Sequence, residues 1–230
     1  AAGSLCSENR VHNIAKGALL IDGSIVPAGQ TFSCNDSLGV RSRENGWLPA
    51  TAFANGGAET RQEYGGGICQ ISTTLYNAVL RSDLEIIARS GHTRKVRYIG
   101  GGLDAALSGK DKDFVFRNNT DSDIYVFMWV DESQKTLCCE IYGCPFPSDF
   151  DRVDTVSELT SSTPPSEPQF VLDSALEPGE CVLKRKAIAG STYQSYRVYS
   201  LNGEIIRRVP IDKTEYPMHP ALYAVGQGKS

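Results

Sequence analysis

Three consecutive glycines are followed, one residue later, by a cysteine at the start of a helical pattern in the stretch EYGGGICQISTTLYNAVL, residues 63–80. From Ile68 onward, apolar residues recur at three- and four-residue steps, which predicts an amphipathic helix beginning just after the Gly65–Gly67 turn. Glycine admits positive φ angles and lets other atoms approach the backbone closely. This stretch therefore constrains the chain to place one thiol, that of Cys69, in the first turn of a helix.

The predicted position of Cys69 favours a reactive sulfur. A helix N-terminus carries about half a positive charge, which stabilises a thiolate. Backbone N–H groups around Gly67 and Ile68 are candidates for an oxyanion hole. Ser72 and Tyr76 share a helix face with the cysteine and are predicted to line a substrate strip. Spacing leaves a second interpretation open, in which Cys69 is simply a small buried apolar residue.

A cysteine nucleophile needs a base, and the chain offers His12, His92 and His219. His92 is the favoured candidate because it lies in ARSGHTRKVRY, a basic cluster in a chain of net charge −4. Arg89 and Arg94 of that cluster are predicted to bind substrate carboxylates. The alternative is that the cluster forms a solvated strand surface.

A third residue is expected to orient the imidazole of the base. Asp104, in the glycine-marked run GGGLDAAL, is put forward for this role, with Glu63 and Asn77 as other candidates. An aspartate after a glycine turn is also a common turn or capping residue, so both interpretations stay open.

Composition excludes several classes of protein. A net charge of −4 and a pI near 5.5 provide no global basic field for nucleic acid or anionic lipid. The longest apolar run, IYVFMWV (124–130), is far shorter than the roughly 20 residues that span a bilayer. The abrupt opening AAGSLCSENR suggests that an anchor or signal was removed upstream. Seven cysteines without a CxxC pair predict no metal site and leave the disulfide pattern open.

The pattern along the chain predicts an α+β fold in two parts. We predict a β-rich catalytic domain over 8–150, a Ser-, Thr- and Pro-rich linker over 151–168, and a small all-β module over 169–230. Short strands with turns are expected in GALLIDGSIVPAGQTFSCN, and further strands in LEIIARS, RKVRYIG and TLCCEIYG. FVFRNNTDSDIYVFMWV is expected to form two strands joined by NNTDSD, and the runs YQSYRVYS and GEIIRRVPI to meet at Leu201-Asn202-Gly203.

The runs PAGQTFSCNDSLG, NGWLPATAFANGG, GGGICQISTTLYNAVL, HTRKVRYIGGGLDA and FVFRNNTDSDIYV together resemble a VanW domain over about residues 8–145. Residues 169–228 are similar to the glycine-marked β modules that often follow VanW domains in cell-wall proteins. The resemblance implies a Gram-positive, extracytoplasmic setting behind an N-terminal membrane anchor. One departure is Cys34, where the family usually has an aromatic residue; we expect that it could pair with another cysteine.

The resemblance also implies an activity, because some VanW domains are understood to be L,D-transpeptidases. Carried over, the nucleophile is Cys69 and the base is His92, acting on peptidoglycan stem tetrapeptides to form 3–3 cross-links. No cofactor and no nucleic-acid partner are expected. Two alternatives stay open: a non-catalytic wall-binding module, and a cysteine carboxypeptidase or amidase in which water is the acceptor.

Overall fold

The computed structural model describes residues 7–54, 59–109 and 111–227, which form three helices and a series of small sheets. The helices are α1 (Glu8–Ile21), α2 (Cys34–Leu38) and α3 (Cys69–Arg81). The strands are β1 (Ser24–Val26), β2 (Thr31–Ser33), β3 (Pro49–Ala54), β4 (Glu59–Tyr64), β5 (Glu85–Ala88), β6 (Val115–Arg117), β7 (Ile124–Asp131), β8 (Thr136–Tyr142), β9 (Arg152–Thr163), β10 (Gln169–Asp173), β11 (Cys181–Arg185), β12 (Gly190–Leu201), β13 (Glu204–Tyr216) and β14 (Leu222–Gly226). The α+β class predicted from the sequence is confirmed.

Helix α3 is the centre of the larger core. Ile71, Leu75 and Val79 are fully buried, as the helical spacing predicted. They pack with apolar residues of α1 and of β7, where burial alternates strictly along the strand. The prediction that IYVFMWV is a buried strand is therefore correct for one face only, because Tyr125 and Trp129 point outward.

The strands form three-stranded sheets in the orders β1-β7-β8, β2-β6-β5, β13-β12-β9 and β10-β14-β11, together with the β3-β4 hairpin. The predicted hairpin at Leu201-Asn202-Gly203 is confirmed, since β12 and β13 pair across it with Leu201 opposite Glu204. The predicted NNTDSD turn does join two strands, but β6 and β7 belong to different sheets and do not pair with each other.

The linker predicted over residues 151–168 is wrong for most of its length. Residues Arg152–Thr163 form β9, which pairs with β12 over eleven partner positions from Ser200↔Arg152 to Gly190↔Thr163. The strand lies at a sheet edge and much of it is exposed. Serine and threonine are therefore as compatible with this strand as they are with a linker. Composition alone could not separate the two.

Three further predictions are corrected. GALLI is not a strand: it completes α1, where Ile14, Ala18 and Ile21 form a buried stripe, and Asp22-Gly23 follows the helix end. RKVRYIG contains no strand, and the chain from Arg89 to Asp104 is irregular. Cys34 is a fully buried free thiol, not a disulfide partner. Cys6 lies outside the described residues.

Within the described ranges, no helix is long and apolar enough to cross a membrane. No group of three or more His, Cys, Asp or Glu side chains in those ranges is arranged to hold a metal ion.

Candidate active site

The glycine turn places Cys69 by allowing unusually close backbone contact. Gly65 and Gly67 have φ angles of +80° and +115°, which favour glycine. A Cβ atom on Gly66 would lie 2.4 Å from the carbonyl oxygen of Ala50 in β3. The turn is therefore pressed against the β3-β4 hairpin, and the chain leaves it directly into α3 with Cys69 as the first helical residue.

The sulfur of Cys69 is half-buried and lies in a polar environment. The backbone N–H of Leu107 donates to Sγ at 3.4 Å, and Sγ lies 3.6 Å from the Leu107 carbonyl oxygen. The side chains of Cys69 and His92 are also hydrogen-bonded. Burial alone would raise the pKa of the thiol, but the hydrogen bond and charge of His92, the Leu107 amide and the charge of Arg10 together lower it below its ordinary 9.0.

The imidazole of His92 is held by a buried carboxylate. Its Nδ1 lies 2.6 Å from Oδ2 of Asp104, and its backbone N–H donates to the same oxygen at 2.7 Å. Because Nδ1 faces the carboxylate, Nε2 is the ring nitrogen left for the sulfur. Burial lowers the pKa of His92, but the hydrogen bonds to Asp104 and Cys69 outweigh this and raise it to about 9.

Asp104 is fully buried, yet its charged form is favoured. Burial raises its pKa, but the hydrogen bonds from His92 and from the Tyr216 hydroxyl lower it to about 2. The three side chains thus form a continuous hydrogen-bonded series in which the sulfur and the carboxylate favour the negative form and the imidazole the positive form. This is the arrangement of a cysteine nucleophile with an oriented base.

The family described as "VanW like protein" matches residues 9–142 of the chain, which is more than half of its 230 residues. The chain belongs to the VanW family. The family resemblance of the sequence is thus confirmed, and all three residues of the hydrogen-bonded series lie within the matched VanW domain.

Two relatives and two solved structures are similar to parts of the chain. "Uncharacterized protein YoaR" of Bacillus subtilis is 41% identical over 120 residues, covering 52% of this chain and 39% of the relative. "Vancomycin B-type resistance protein VanW" of Enterococcus faecalis is 30% identical over 132 residues, covering 55% and 47%. The chain thus spans less than half the length of either relative. The IgA1 protease G5 domain (17% identity, TM-score 0.24) and HP0197-G5 (16%, TM-score 0.18) cover 34% and 32% of the chain and 92% and 97% of their own chains.

The polar face of α3 in the VanW domain anchors the segment that carries Asp104. Ser72 donates to the Ala105 carbonyl oxygen at 2.7 Å, and Asn77 donates to the Leu103 carbonyl oxygen at 2.8 Å. Ser72 was predicted to contact substrate, but its side chain is fully buried and bonds to the backbone of Ala105 instead. The polar strip on the helix holds the chain from 103 to 107 beside the sulfur.

The predicted substrate residues Arg89 and Tyr76 also lie behind the site. Tyr76 is 1% exposed, and the guanidinium of Arg89 stacks over its ring at 5.4 Å. The Arg89 side chain is 5% exposed and donates to the Asp104 carbonyl oxygen at 2.7 Å. Both side chains therefore support the segment that carries Asp104 from inside the protein and do not present a surface to a substrate.

The other candidates interact with residues other than Cys69. Arg94 acts electrostatically on His219, which pairs with Ile188 in the C-terminal part of the chain. His12 contacts the Gly46 carbonyl oxygen at 3.1 Å on the outer side of α1. Glu63 is paired with Arg61 on the surface of β4.

The two residues predicted to supply oxyanion N–H groups, Gly67 and Ile68, differ in whether their N–H group is already hydrogen-bonded. The N–H of Ile68 donates to the Gly65 carbonyl oxygen at 3.2 Å and is used by the turn. Within the described residues, the backbone N–H groups of Gly67 and Cys69 donate no hydrogen bond. These two groups are the donors that remain at the helix N-terminus.

Sequence reasoning missed Arg10, Tyr98 and Tyr216. The charge of Arg10, on α1, acts on Cys69, and its side chain donates to Gln70 at 3.2 Å. Tyr98 is 39% exposed, shares a hydrogen bond with Thr73 and is also influenced by the charge of Cys69. None of these residues lies near Cys69 in the sequence, so no local spacing could have revealed them.

Proposed function

We propose that Cys69, His92 and Asp104 form the catalytic triad of a cysteine acyltransferase, an L,D-transpeptidase that acts on peptidoglycan stem tetrapeptides. The observation that carries the proposal is the hydrogen-bonded series from sulfur to imidazole to buried carboxylate, with pKa shifts that favour a thiolate–imidazolium pair. A thiolate is the form of cysteine that attacks a carbonyl carbon. A purely structural buried cysteine would instead show a raised pKa, as Cys34 does in the core.

In the proposed reaction, the Cys69 thiolate attacks the carbonyl carbon that precedes the terminal D-alanine. The N–H groups of Cys69 and Gly67 hold the oxyanion of the tetrahedral intermediate. The C–N bond breaks, the imidazolium of His92 gives its proton to the leaving amine, and a thioester remains. The side-chain amine of a second stem attacks the thioester and loses a proton to His92, which restores the thiolate–imidazolium pair. The amide bond formed replaces the amide bond broken, so no cofactor is needed.

Arg10 is our candidate for the carboxylate of the stem peptide, in place of Arg89 and Arg94. It is partly exposed, packs beside Gly67, and its charge reaches the sulfur. Its bond to Gln70, directly after the nucleophile, leaves guanidinium N–H groups for an anionic group. The charges of Arg10 and Cys69 both act on Tyr98, which is exposed. Tyr98 would therefore lie at the edge of the proposed substrate site.

The substrate class and the location rest on the family and on the name of one relative. A protein named for vancomycin resistance points to the peptidoglycan stem, and cross-linking enzymes work outside the membrane. We therefore propose an extracytoplasmic protein. Labelling of Cys69 in intact cells by a membrane-impermeant thiol reagent would support this location, and labelling only after lysis would contradict it.

The function is tested by incubating the protein with disaccharide-tetrapeptide and analysing the products by mass spectrometry. Three chains are compared: the parent, Cys69→Ala, and Cys144→Ala as a matched control at an exposed cysteine. A cross-linked dimer lacking one D-alanine, made by the parent and Cys144→Ala only, is the expected result. Loss of D-alanine without a dimer would indicate a hydrolase. An unchanged substrate, with folded protein, would favour the non-catalytic wall-binding module.

A further inference from the structure

The carboxylate of Asp104 contacts residues that lie far beyond the VanW domain. The hydroxyl of Tyr216, at the end of β13, donates to Oδ1 of Asp104, 112 positions away in the sequence. The same hydroxyl accepts the backbone N–H of Gly102 at 2.8 Å. Tyr216 is 4% exposed, so both hydrogen bonds are buried.

A second connection runs through Arg89. Its Nη1 donates to Oδ2 of Asp212 at 2.7 Å and to Oγ1 of Thr214 at 2.9 Å, both on β13. Its Nη2 lies 3.4 Å from Oδ1 of Asp104. Arg89 therefore connects Asp212 and Thr214 of β13 to Oδ1 of Asp104, which is the carboxylate oxygen that Tyr216 also contacts.

The second glycine triplet, 100–102, fits against the sheet formed by β9, β12 and β13. A Cβ atom on Gly101 would lie 2.6 Å from the ring of Tyr193 on β12. The carbonyl oxygen of Gly101 accepts a hydrogen bond from Ser157 on β9. Gly102 has a φ angle of +80° and lies against the Tyr193 side chain. The loop that precedes Asp104 is thus in contact with all three strands.

We infer that the C-terminal sheet is part of the catalytic site, and that Tyr216 is a positioning residue which holds the Asp104 carboxylate against His92. The VanW domain matched over residues 9–142 contains the proposed reacting groups, and His92 contacts Oδ2 of the carboxylate, but the short hydrogen bond to Oδ1 comes from β13. Without the Tyr216 hydroxyl, Oδ1 would be held only by the longer contact to Arg89, and the carboxylate would be held less firmly against Nδ1, with the backbone N–H of His92 as its remaining short hydrogen bond besides the ring.

The test compares Tyr216→Phe with Tyr199→Phe in the full chain. Tyr199, on β12, is a matched control because it is 5% exposed and its hydroxyl donates to a carboxylate of the VanW domain, Oδ1 of Asp83, at 2.6 Å. The two substitutions remove the same kind of hydrogen bond, but only one of the two carboxylates belongs to the site.

Two readouts separate positioning from general stability: the NMR titration of the three histidines, and the pH profile of Cys69 alkylation mapped by mass spectrometry. The charged or titratable groups around the site come from several elements, and all except Tyr216 itself are the same in the two variants: Arg10, Cys69, Tyr76, Arg89, His92, Tyr98, Asp104 and Asp212.

In Tyr216→Phe we expect the midpoint of the His92 titration to fall and the onset of Cys69 alkylation to rise by about one pH unit each, equivalent to about 1.4 kcal/mol. Tyr199→Phe should leave both unchanged. No difference between the two variants would overturn the inference. A rise in the His92 midpoint would also overturn it, since it would mean that the carboxylate keeps its place.

If Tyr216→Phe fails to fold, Asp212→Asn provides the second test. The Asp212 side chain is 47% exposed, so we expect the substitution to be tolerated. The substitution removes the carboxylate that pairs with Arg89 and leaves the hydrogen bond from Arg89 to Thr214. A smaller shift in the same direction is expected, and an unchanged profile would count against the inference. The inference rests on the catalytic role proposed for Cys69, but neither readout requires turnover. A failed cross-linking assay would therefore not be mistaken for a failure of positioning.

Discussion

Substitution of Asp104 by asparagine removes the charge that stabilises the imidazolium of His92. The amide has the size of the carboxylate, but its NH2 group cannot accept a hydrogen bond. At least one of the donors that now meet the carboxylate, from His92 and Tyr216, would face another donor in a fully buried position. The change therefore acts on the protonation of the site with little change in volume.

The size of the effect follows from the pKa of His92. Despite burial, which lowers it, the hydrogen bonds to Asp104 and Cys69 raise the pKa of His92 from 6.5 to about 9. A difference of that size corresponds to about 3 kcal/mol in favour of the imidazolium, shared between the two partners. If Asp104 supplies half or more, its loss should lower the equilibrium constant for forming the thiolate–imidazolium pair from the neutral thiol and imidazole about 10- to 100-fold.

The assay is alkylation of Cys69 by iodoacetamide between pH 5 and pH 9, with the modified peptide identified by mass spectrometry. The parent should react well below the ordinary thiol pKa of 9.0, and Asp104→Asn should react only as the pH approaches that value. The matched control is Asp83→Asn, which loses a comparable contact with Tyr199 and Arg197 away from the site. A folded Asp104→Asn protein with the parental profile would refute the assignment of Asp104 as the group that charges His92.

Three further predictions concern stability, each measured by chemical denaturation. Gly66→Ala should cost about 1–3 kcal/mol through its clash with backbone, whereas Gly100→Ala, whose nearest contact would be 3.8 Å, should change stability by less than about 0.5 kcal/mol. Arg197→Ala should cost about 2 kcal/mol, because its guanidinium bonds two carbonyl oxygens at the end of α3 and Asp83, yet leave Cys69 alkylation unchanged. The low pKa of Asp104, about 2 against 3.8, stabilises the fold above pH 4; this contribution of about 2 kcal/mol should be lost as pH falls through 2, and be absent in Asp104→Asn.

The three residues proposed to form the triad could be selected from the sequence because each carries a local signal. The Gly65–Gly67 turn precedes the helix terminus at Cys69, His92 directly follows Gly91, and Asp104 comes two residues after Gly102 in the irregular chain that follows. The contact between His92 and Asp104 spans only 12 positions, so it depends on one short loop. Local chemistry and short loops are the features that a single sequence conveys most reliably.

The surroundings of those groups could not be predicted, because they depend on packing over long distances. Arg89 and Tyr76 are chemically suited to a substrate site, and only their burial excludes them from its surface. Arg10 reaches the sulfur from α1, and its bond to Gln70 spans 60 positions. In β9, the serine and threonine content that suggests a linker suits an exposed edge strand equally well, and only the pairing with β12 decides between them.

The difference between local signals and long-range packing matters most at the boundary between the two predicted domains. Sequence similarity to the VanW family ends at residue 142, which would suggest a self-contained catalytic unit. The ion pair of Arg89 with Asp212 and the hydrogen bond of the buried Tyr216 hydroxyl to Asp104 both cross that boundary. A buried carboxylate is costly unless its hydrogen bonds are satisfied, so the strand that satisfies them must be in place before Asp104 can hold its charge. We therefore expect the reactivity of Cys69 to depend on the C-terminal sheet as well as on the family motif that contains it.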